Sequence, residues 1–169
     1  MTIEARKPII SDRLVRKFRL GSGLVIFTFV TMHLANHSLG LISLGTADKA
    51  QHWFVAVWRN PVGTVLLYGA FLTHILLVLR LLYKRRTLVM PAGEAFQIVT
   101  GLLVPVLLID HIIGTRILHD LYDYHDSYHA IVRSLWVTSP ANGVRQAIVL
   151  IVVWIHEDIG EGCSRVPHV

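Results

Sequence analysis

The stretch 20–42, LGSGLVIFTFVTMHLANHSLGLI, decides the fold, because it is apolar along most of its length and yet contains His33 and His37. A bilayer core of roughly 30 Å is crossed by about 20 residues of helix. Three further apolar stretches each contain one histidine: 62–82 with His74, 95–118 with His111, and 143–159 with His156. Since lipid offers the backbone no hydrogen-bond partners, we predict an all-α, membrane-spanning four-helix bundle.

Composition supports a membrane protein. Of 169 residues, 53% are hydrophobic and 16% charged, and the mean hydropathy is +0.55. The net charge of +5 could indicate nucleic acid, but the basic residues flank the apolar stretches, so a membrane surface explains them and no nucleic-acid partner is expected. The single cysteine, Cys163, excludes a disulfide framework or an all-cysteine iron–sulfur site within this chain.

The basic residues also predict the orientation. They are concentrated before the first stretch and between the second and third, so both regions, with the N-terminus, are expected in the cytoplasm. The residues concerned are Arg6, Lys7, Arg13, Arg16, Lys17, Arg19, Lys84, Arg85 and Arg86. We divide the chain into a basic segment (1–19), a membrane domain (20–159) with external connections at 43–61 and 119–142, and a short polar tail (160–169). The first stretch is too long for a signal-peptide core and is expected to be retained.

Histidines inside membrane spans are costly and therefore predict a function, and neutral imidazole is a common haem ligand. A helix rise of 1.5 Å per residue places His33 and His37 about 20 and 26 Å from the inner face, and His111 about 24 Å. On helices that run inward, His74 and His156 lie about 18 and 20 Å along, nearer the cytoplasm. One b-type haem is therefore expected between His111 and either His33 or His37. Another is expected between His74 and His156.

Four other polar residues could support these sites. Arg80 and Arg116 lie toward the membrane faces, where each could bind haem propionates or simply extend its charge to the interface. Asn36 and Asp110 adjoin outer histidines and could hydrogen-bond a quinone carbonyl. Two alternatives need no haem: each histidine could bond a carbonyl of a neighbouring helix, or the histidines and Asp110 could form a proton relay.

Four segments resemble a known family: T31-M-H-L-A-N-H-S-L-G-L-I-S43, W58-R-N-P-V-G-T-V-L-L-Y68, H111-I-I-G-T-R116 and W154-I-H156. Over roughly residues 13–156 the chain resembles the membrane anchors of bacterial class III adenylate/guanylate cyclases, which are similar to the dihaem cytochrome b anchors of succinate dehydrogenase and fumarate reductase. The resemblance implies b haem, a quinone response, location in the bacterial inner membrane, and redox control of a cyclase in a dimeric assembly. Its implied axial ligands are His74, His111 and His156, with His33 or His37.

The segment E157-D-I-G-E-G-C-S-R-V-P-H-V169 departs from the family pattern and is compatible with a truncation or an altered reading frame. No cyclase metal-binding aspartates or nucleotide pocket can be located, so this chain is not expected to make cyclic AMP by itself. The leading hypothesis is a haem-containing, quinone-responsive anchor or sensor for a cyclase domain. The alternatives are a cytochrome b subunit that passes electrons between quinone and a soluble redox partner, and a haem-free receptor anchor.

Overall fold

A computed structural model describes residues 11–85, 87, 89–117, 121–122 and 127–164, with side chains in the last range as far as Asp158. Every regular element in this part of the chain is helical. The α-helices are α1 (Asp12–Ser38), α2 (Leu44–Trp58), α3 (Pro61–Lys84), α4 (Ala92–Ile112), α5 (Tyr128–Arg133) and α6 (Pro140–Ser164). A 3₁₀ turn (Leu39–Leu41) follows α1, and π-helical turns follow α4 (Ile113–Ile117) and α5 (Ser134–Thr138).

Several helices begin where a short polar side chain can satisfy the free N–H groups of the first turn. The Asn60 side chain accepts from the backbone N–H of Gly63 at 2.9 Å at the start of α3, with Pro61 in the first helical position. The Ser43 hydroxyl accepts from the N–H of Thr46 at 3.0 Å beside α2. Ser127 caps α5 in the same way, so these boundaries follow from local chemistry.

Three helical segments are long and apolar enough to cross a membrane: Asp12–Leu41, Pro61–Lys84 and Ala92–Ile117. They coincide with the first three predicted spans, and the prediction of an all-α chain with apolar spans is confirmed. The fourth is different. The predicted stretch 143–159 lies within α6, and Tyr128–Thr138 with Pro140–Asp158 satisfies the criterion as a pair with a bend of 109° between them, so the described residues contain three candidate spans, or four if the bent pair is one span.

Two regions outside the predicted spans are partly helical. The predicted connection 43–61 contains α2, whose 15 residues make four turns. At the other end α6 continues to Ser164, two turns beyond His156, so the predicted polar tail (160–169) begins inside a helix. Of the basic residues used to predict orientation, Arg6, Lys7 and Arg86 lie outside the described residues. The orientation stays a sequence prediction.

The chain divides into two compact units. The first joins α1 up to His33 with residues 55–85, and the second joins residues 34–54 with the described residues after Arg85. Large apolar side chains are exposed throughout both, including Leu24, Leu72 and Val106, as expected of helices whose outer surface contacts lipid.

Candidate functional site

His74, in the middle of α3, contacts a Ser-Gly dipeptide of α1. Its Nδ1 lies 3.3 Å from the hydroxyl of Ser22, and that hydroxyl donates to the carbonyl of Arg19 at 3.0 Å. A Cβ at Gly23 would stand 3.3 Å from the imidazole Cε1, so the absence of a side chain lets the ring lie close to the α1 backbone. We call Ser22 and Gly23 the first seat.

His156, on α6, contacts a Thr-Gly dipeptide of α4 in a similar way. Its Nδ1 lies 3.2 Å from the Thr100 hydroxyl and 3.1 Å from the backbone carbonyl of Gln97. A Cβ at Gly101 would stand 2.6 Å from the imidazole Cε1, which is closer than atoms can approach without displacement. Thr100 and Gly101 form the second seat.

The partners of these rings decide which nitrogen carries the proton. A carbonyl oxygen can only accept, so Nδ1 of His156 donates to Gln97 and the lone pair of the neutral ring is at Nε2. The Ser22 hydroxyl has one hydrogen, which it donates to Arg19, and its oxygen is then an acceptor for Nδ1 of His74. Both rings therefore have the tautomer in which Nε2 is the nitrogen able to bind a metal.

His37, near the end of α1, contacts the buried Tyr128. Its Nδ1 lies 3.0 Å from the tyrosine hydroxyl, which donates to the His37 carbonyl at 3.3 Å. Tyr128 is held by the Asp48 carboxylate, which accepts its backbone N–H, and by Gly40, where a Cβ would stand 2.9 Å from the ring. His111 on α4 is close enough to His37 for their charges to interact, so the structure brings two predicted ligands of the outer layer together.

His33 has different surroundings. Its ring stacks on Phe29 with centroids 5.6 Å apart and planes at 11°, and Phe29 meets Trp58 edge to face at 5.3 Å. His33 belongs to the first unit, whereas His37 and His111 belong to the second. Of these two histidines of α1, His37 is the one with a described interaction with His111.

The remaining predicted residues are dispersed. Arg80 on α3 and Arg116 in the π turn after α4 are both half-buried. Asn36 is buried, and its Oδ1 accepts no hydrogen bond from the described residues. Asp110 is instead exposed and forms an ion pair with Arg145 of α6. Asn36 and Asp110 thus have different environments, and the structure gives no support to a shared quinone site.

Sequence reasoning missed the polar partners of the histidines. A usable signal was the small hydroxyl residue followed by glycine within an apolar helix, since hydroxyls bond across membrane helices and glycine permits close approach. The histidine partners that were not identified as such are Ser22, Gln97, Thr100 and Tyr128, and the Asp110 partner Arg145 was also missed.

The described donors are single imidazoles rather than a cluster of metal ligands. No group of three or more His, Cys, Asp or Glu side chains that could hold an ion occurs among the residues that the structure describes. Axial ligation of haem requires only one or two nitrogens, because the porphyrin supplies the other four. Imidazoles anchored at Nδ1 fit that requirement, since such outer bonds fix the orientation of a metal-binding ring.

No protein-family model, curated protein or solved structure matches the chain. The functional argument therefore depends on the histidines and their partners.

Proposed function

We propose that this chain is a membrane-embedded b-type haem protein of the bacterial inner membrane, and that it acts as a redox- or quinone-responsive anchor or sensor for a class III adenylate cyclase. One observation carries the haem proposal. Three histidines within candidate membrane helices each have Nδ1 within hydrogen-bond distance of an oxygen: His74 at Ser22, His156 at Thr100 and Gln97, and His37 at Tyr128.

This arrangement favours a ligand role over a purely structural one. A histidine that only joins two helices could use either ring nitrogen, and nothing would require the same choice at three places. A metal ligand requires one nitrogen held as an orienting donor and the other left with its lone pair. All three rings are anchored through Nδ1, as that role demands.

Each histidine then has a defined role. His37 and His111 would hold an outer haem, since both lie in the second compact unit and Tyr128 contacts the His37 ring. His74 and His156 would hold an inner haem, on the basis of their similar predicted depth. Bound b haem would supply a one-electron couple. We include Arg80 and Arg116 in the proposal as half-buried cations that would bind the haem propionates.

The cyclase assignment is supported by the resemblance of the four sequence segments to cyclase anchors. No catalytic residues for cyclic-nucleotide synthesis can be located in these 169 residues, so the cyclase domain would be an attached or partner domain, and the anchor would work within a homo-oligomer. An electron-transfer anchor with a soluble dehydrogenase partner has similar helices and haem. The genes beside this one distinguish the two, because a cyclase-coding segment favours the sensor and a flavoprotein with a cluster protein favours electron transfer.

Haem binding is tested by reduced-minus-oxidised absorption spectra of the purified chain, with haem and protein quantified on one sample. We expect a b-type signal of one or two haems per chain. His52→Ala is the matched control, since His52 is exposed on α2 and is not a proposed ligand; it should retain the full signal. A colourless protein after haem supplementation would overturn the haem proposal and leave the receptor anchor.

A further inference from the structure

We propose that Ser22 and Thr100 are positioning residues that hold His74 and His156 in the tautomer with hydrogen on Nδ1 and thereby set the potential of the haem these histidines bind. The part that concerns haem rests on the proposed function. The part that concerns the tautomer rests on the contacts alone.

The hydroxyls are suited to accept because their hydrogens are already directed elsewhere. Thr100 Oγ1 lies 2.9 Å from the carbonyl of Phe96 and 3.1 Å from that of Gln97, so it donates within its own helix. Ser22 donates to Arg19 in the same manner. Such bonds to the preceding turn are common for Ser and Thr in membrane helices. They leave oxygen lone pairs for the imidazole.

Burial singles out the same two residues. Apart from the aromatic residues Trp58 and Tyr128, three polar side chains are buried in the described part of the chain, namely Ser22, Asn36 and Thr100, and Ser22 and Thr100 are each 7% exposed. Two of the three thus contact a candidate haem ligand. A buried hydroxyl needs partners for both its hydrogen and its lone pairs, and the helix carbonyl and the imidazole provide them.

Two other hydroxyls provide natural controls. Thr28 donates to the carbonyl of Leu24 at 2.8 Å, and Ser38 donates to that of Ala35 at 2.7 Å. Both form the same bond within α1 as the seat hydroxyls form within their helices, but both are exposed. Substitution of Thr28 or Ser38 therefore removes the helix-internal bond without removing an imidazole partner.

The expected effect follows from electron donation. An acceptor on Nδ1–H makes the ring a stronger donor at Nε2 and so stabilises the ferric haem. Removing the hydroxyl should raise the haem potential and weaken retention, by about 10-fold. Thr100→Val should have a limited effect, because it leaves the Gln97 carbonyl bonded to His156.

The first experiment is a spectroscopic redox titration of the haem-loaded chain. Ser22→Ala and Thr100→Val should shift one haem to higher potential, while any other haem stays unchanged. Ser22→Thr and Thr100→Ser should restore the original potential, and Thr28→Val and Ser38→Ala should not move it. Equal shifts in the control variants, or no shift in either seat variant, would overturn the role in setting the potential.

The second experiment needs no haem. Nitrogen NMR of haem-free chain labelled at histidine, with His74→Gln and His156→Gln for assignment, should show Nδ1 protonated and Nε2 unprotonated in both rings. In Ser22→Ala, the His74 ring should become a mixture of tautomers. The opposite tautomer in the parent chain would overturn the proposal even if haem binds. If the chain shows the expected tautomers but never binds haem, Ser22 and Thr100 do position the imidazoles, and the proposed function is wrong.

Discussion

The two seats use the same design with different tightness. In the first, His74 has one described hydroxyl partner, and a Cβ added at Gly23 would stand 3.3 Å from the imidazole Cε1. In the second, His156 has both a hydroxyl and a carbonyl, and only 2.6 Å separates its ring from the place of a Gly101 Cβ. A further difference is Pro105, which has no N–H to donate to the carbonyl of Gly101 four residues earlier.

This difference distinguishes two effects of a seat on its histidine, namely the choice of tautomer and the distance of the ring from the helix. The oxygen beside Nδ1 determines the ring tautomer, and the glycine sets how closely the ring approaches the partner helix. In the first seat the described oxygen is the Ser22 hydroxyl, whereas in the second the Gln97 carbonyl is present beside the Thr100 hydroxyl. The second depends more on its glycine, because the imidazole already occupies the space of a side chain.

Removing either ring has the largest expected effect. His74→Ala and His156→Ala should each weaken or abolish the same, inner haem and leave the outer one, because each removes one of the two imidazoles expected to ligate it. Haem per chain and the reduced spectrum measure this, with His52→Ala as control. Different residual spectra in the two variants would show that the seats serve different haems. Loss of both haems with helical content intact would contradict the assignment to two layers.

Substituting alanine for Gly23 or Gly101 should have different effects on the free energy of unfolding. Gly101→Ala must displace the His156 ring or α4, at a cost of about 1–3 kcal/mol. Gly23→Ala makes contacts of only 3.3 and 3.5 Å, and the better helix propensity of alanine, roughly 0.5–1 kcal/mol, should offset them. Unfolding of the haem-free protein in mixed micelles measures both.

Gly21→Ala is the control for this pair, because no atom lies within 4 Å of its added Cβ. It should be neutral or slightly stabilising. Gly23→Ala proving as damaging as Gly101→Ala would remove the distinction between a tight and an open seat.

Tyr128→Phe tests whether the seat of His37 works like the other two. It removes the described Nδ1 partner of His37 and should cost about 1 kcal/mol of stability. The outer haem should shift in potential while the inner one stays unchanged. Tyr68→Phe, at an exposed position on α3, is the control. If the potential of the inner haem alone shifted, Tyr128 would support a ligand of the inner haem, which would contradict its assignment to His37 and the outer haem.

The smallest expected effects concern the ion pairs. Asp12 pairs with Lys84 at 3.3 Å in the first unit, and Asp110 pairs with Arg145 in the second. All four side chains are at least one-third exposed, so Asp12→Asn and Asp110→Asn should each cost less than about 1 kcal/mol. Asp110→Asn should cost more, because its pair is less exposed, and added salt should shrink both differences. A greater loss in Asp12→Asn would reverse this order.

Prediction succeeded where the requirement is local. An apolar stretch such as 20–42 has to form a helix in lipid, whatever its neighbours are, and three spans were found on that basis. Composition gave less detail outside these spans. The connection 43–61 contains α2, which was not predicted, and the fourth apolar stretch lies in a helix bent by 109° from the segment before it.

The sequence by itself determined that the chain is helical and apolar enough for a membrane, and which histidines lie within the helices, because solvent compatibility and helix periodicity act residue by residue. Only the tertiary structure decided which groups meet those histidines. Whether Ser22 reaches His74, or Tyr128 reaches His37, depends on the rotation and axial position of helices far apart in the chain. Those quantities come from packing between helices, which no single stretch encodes.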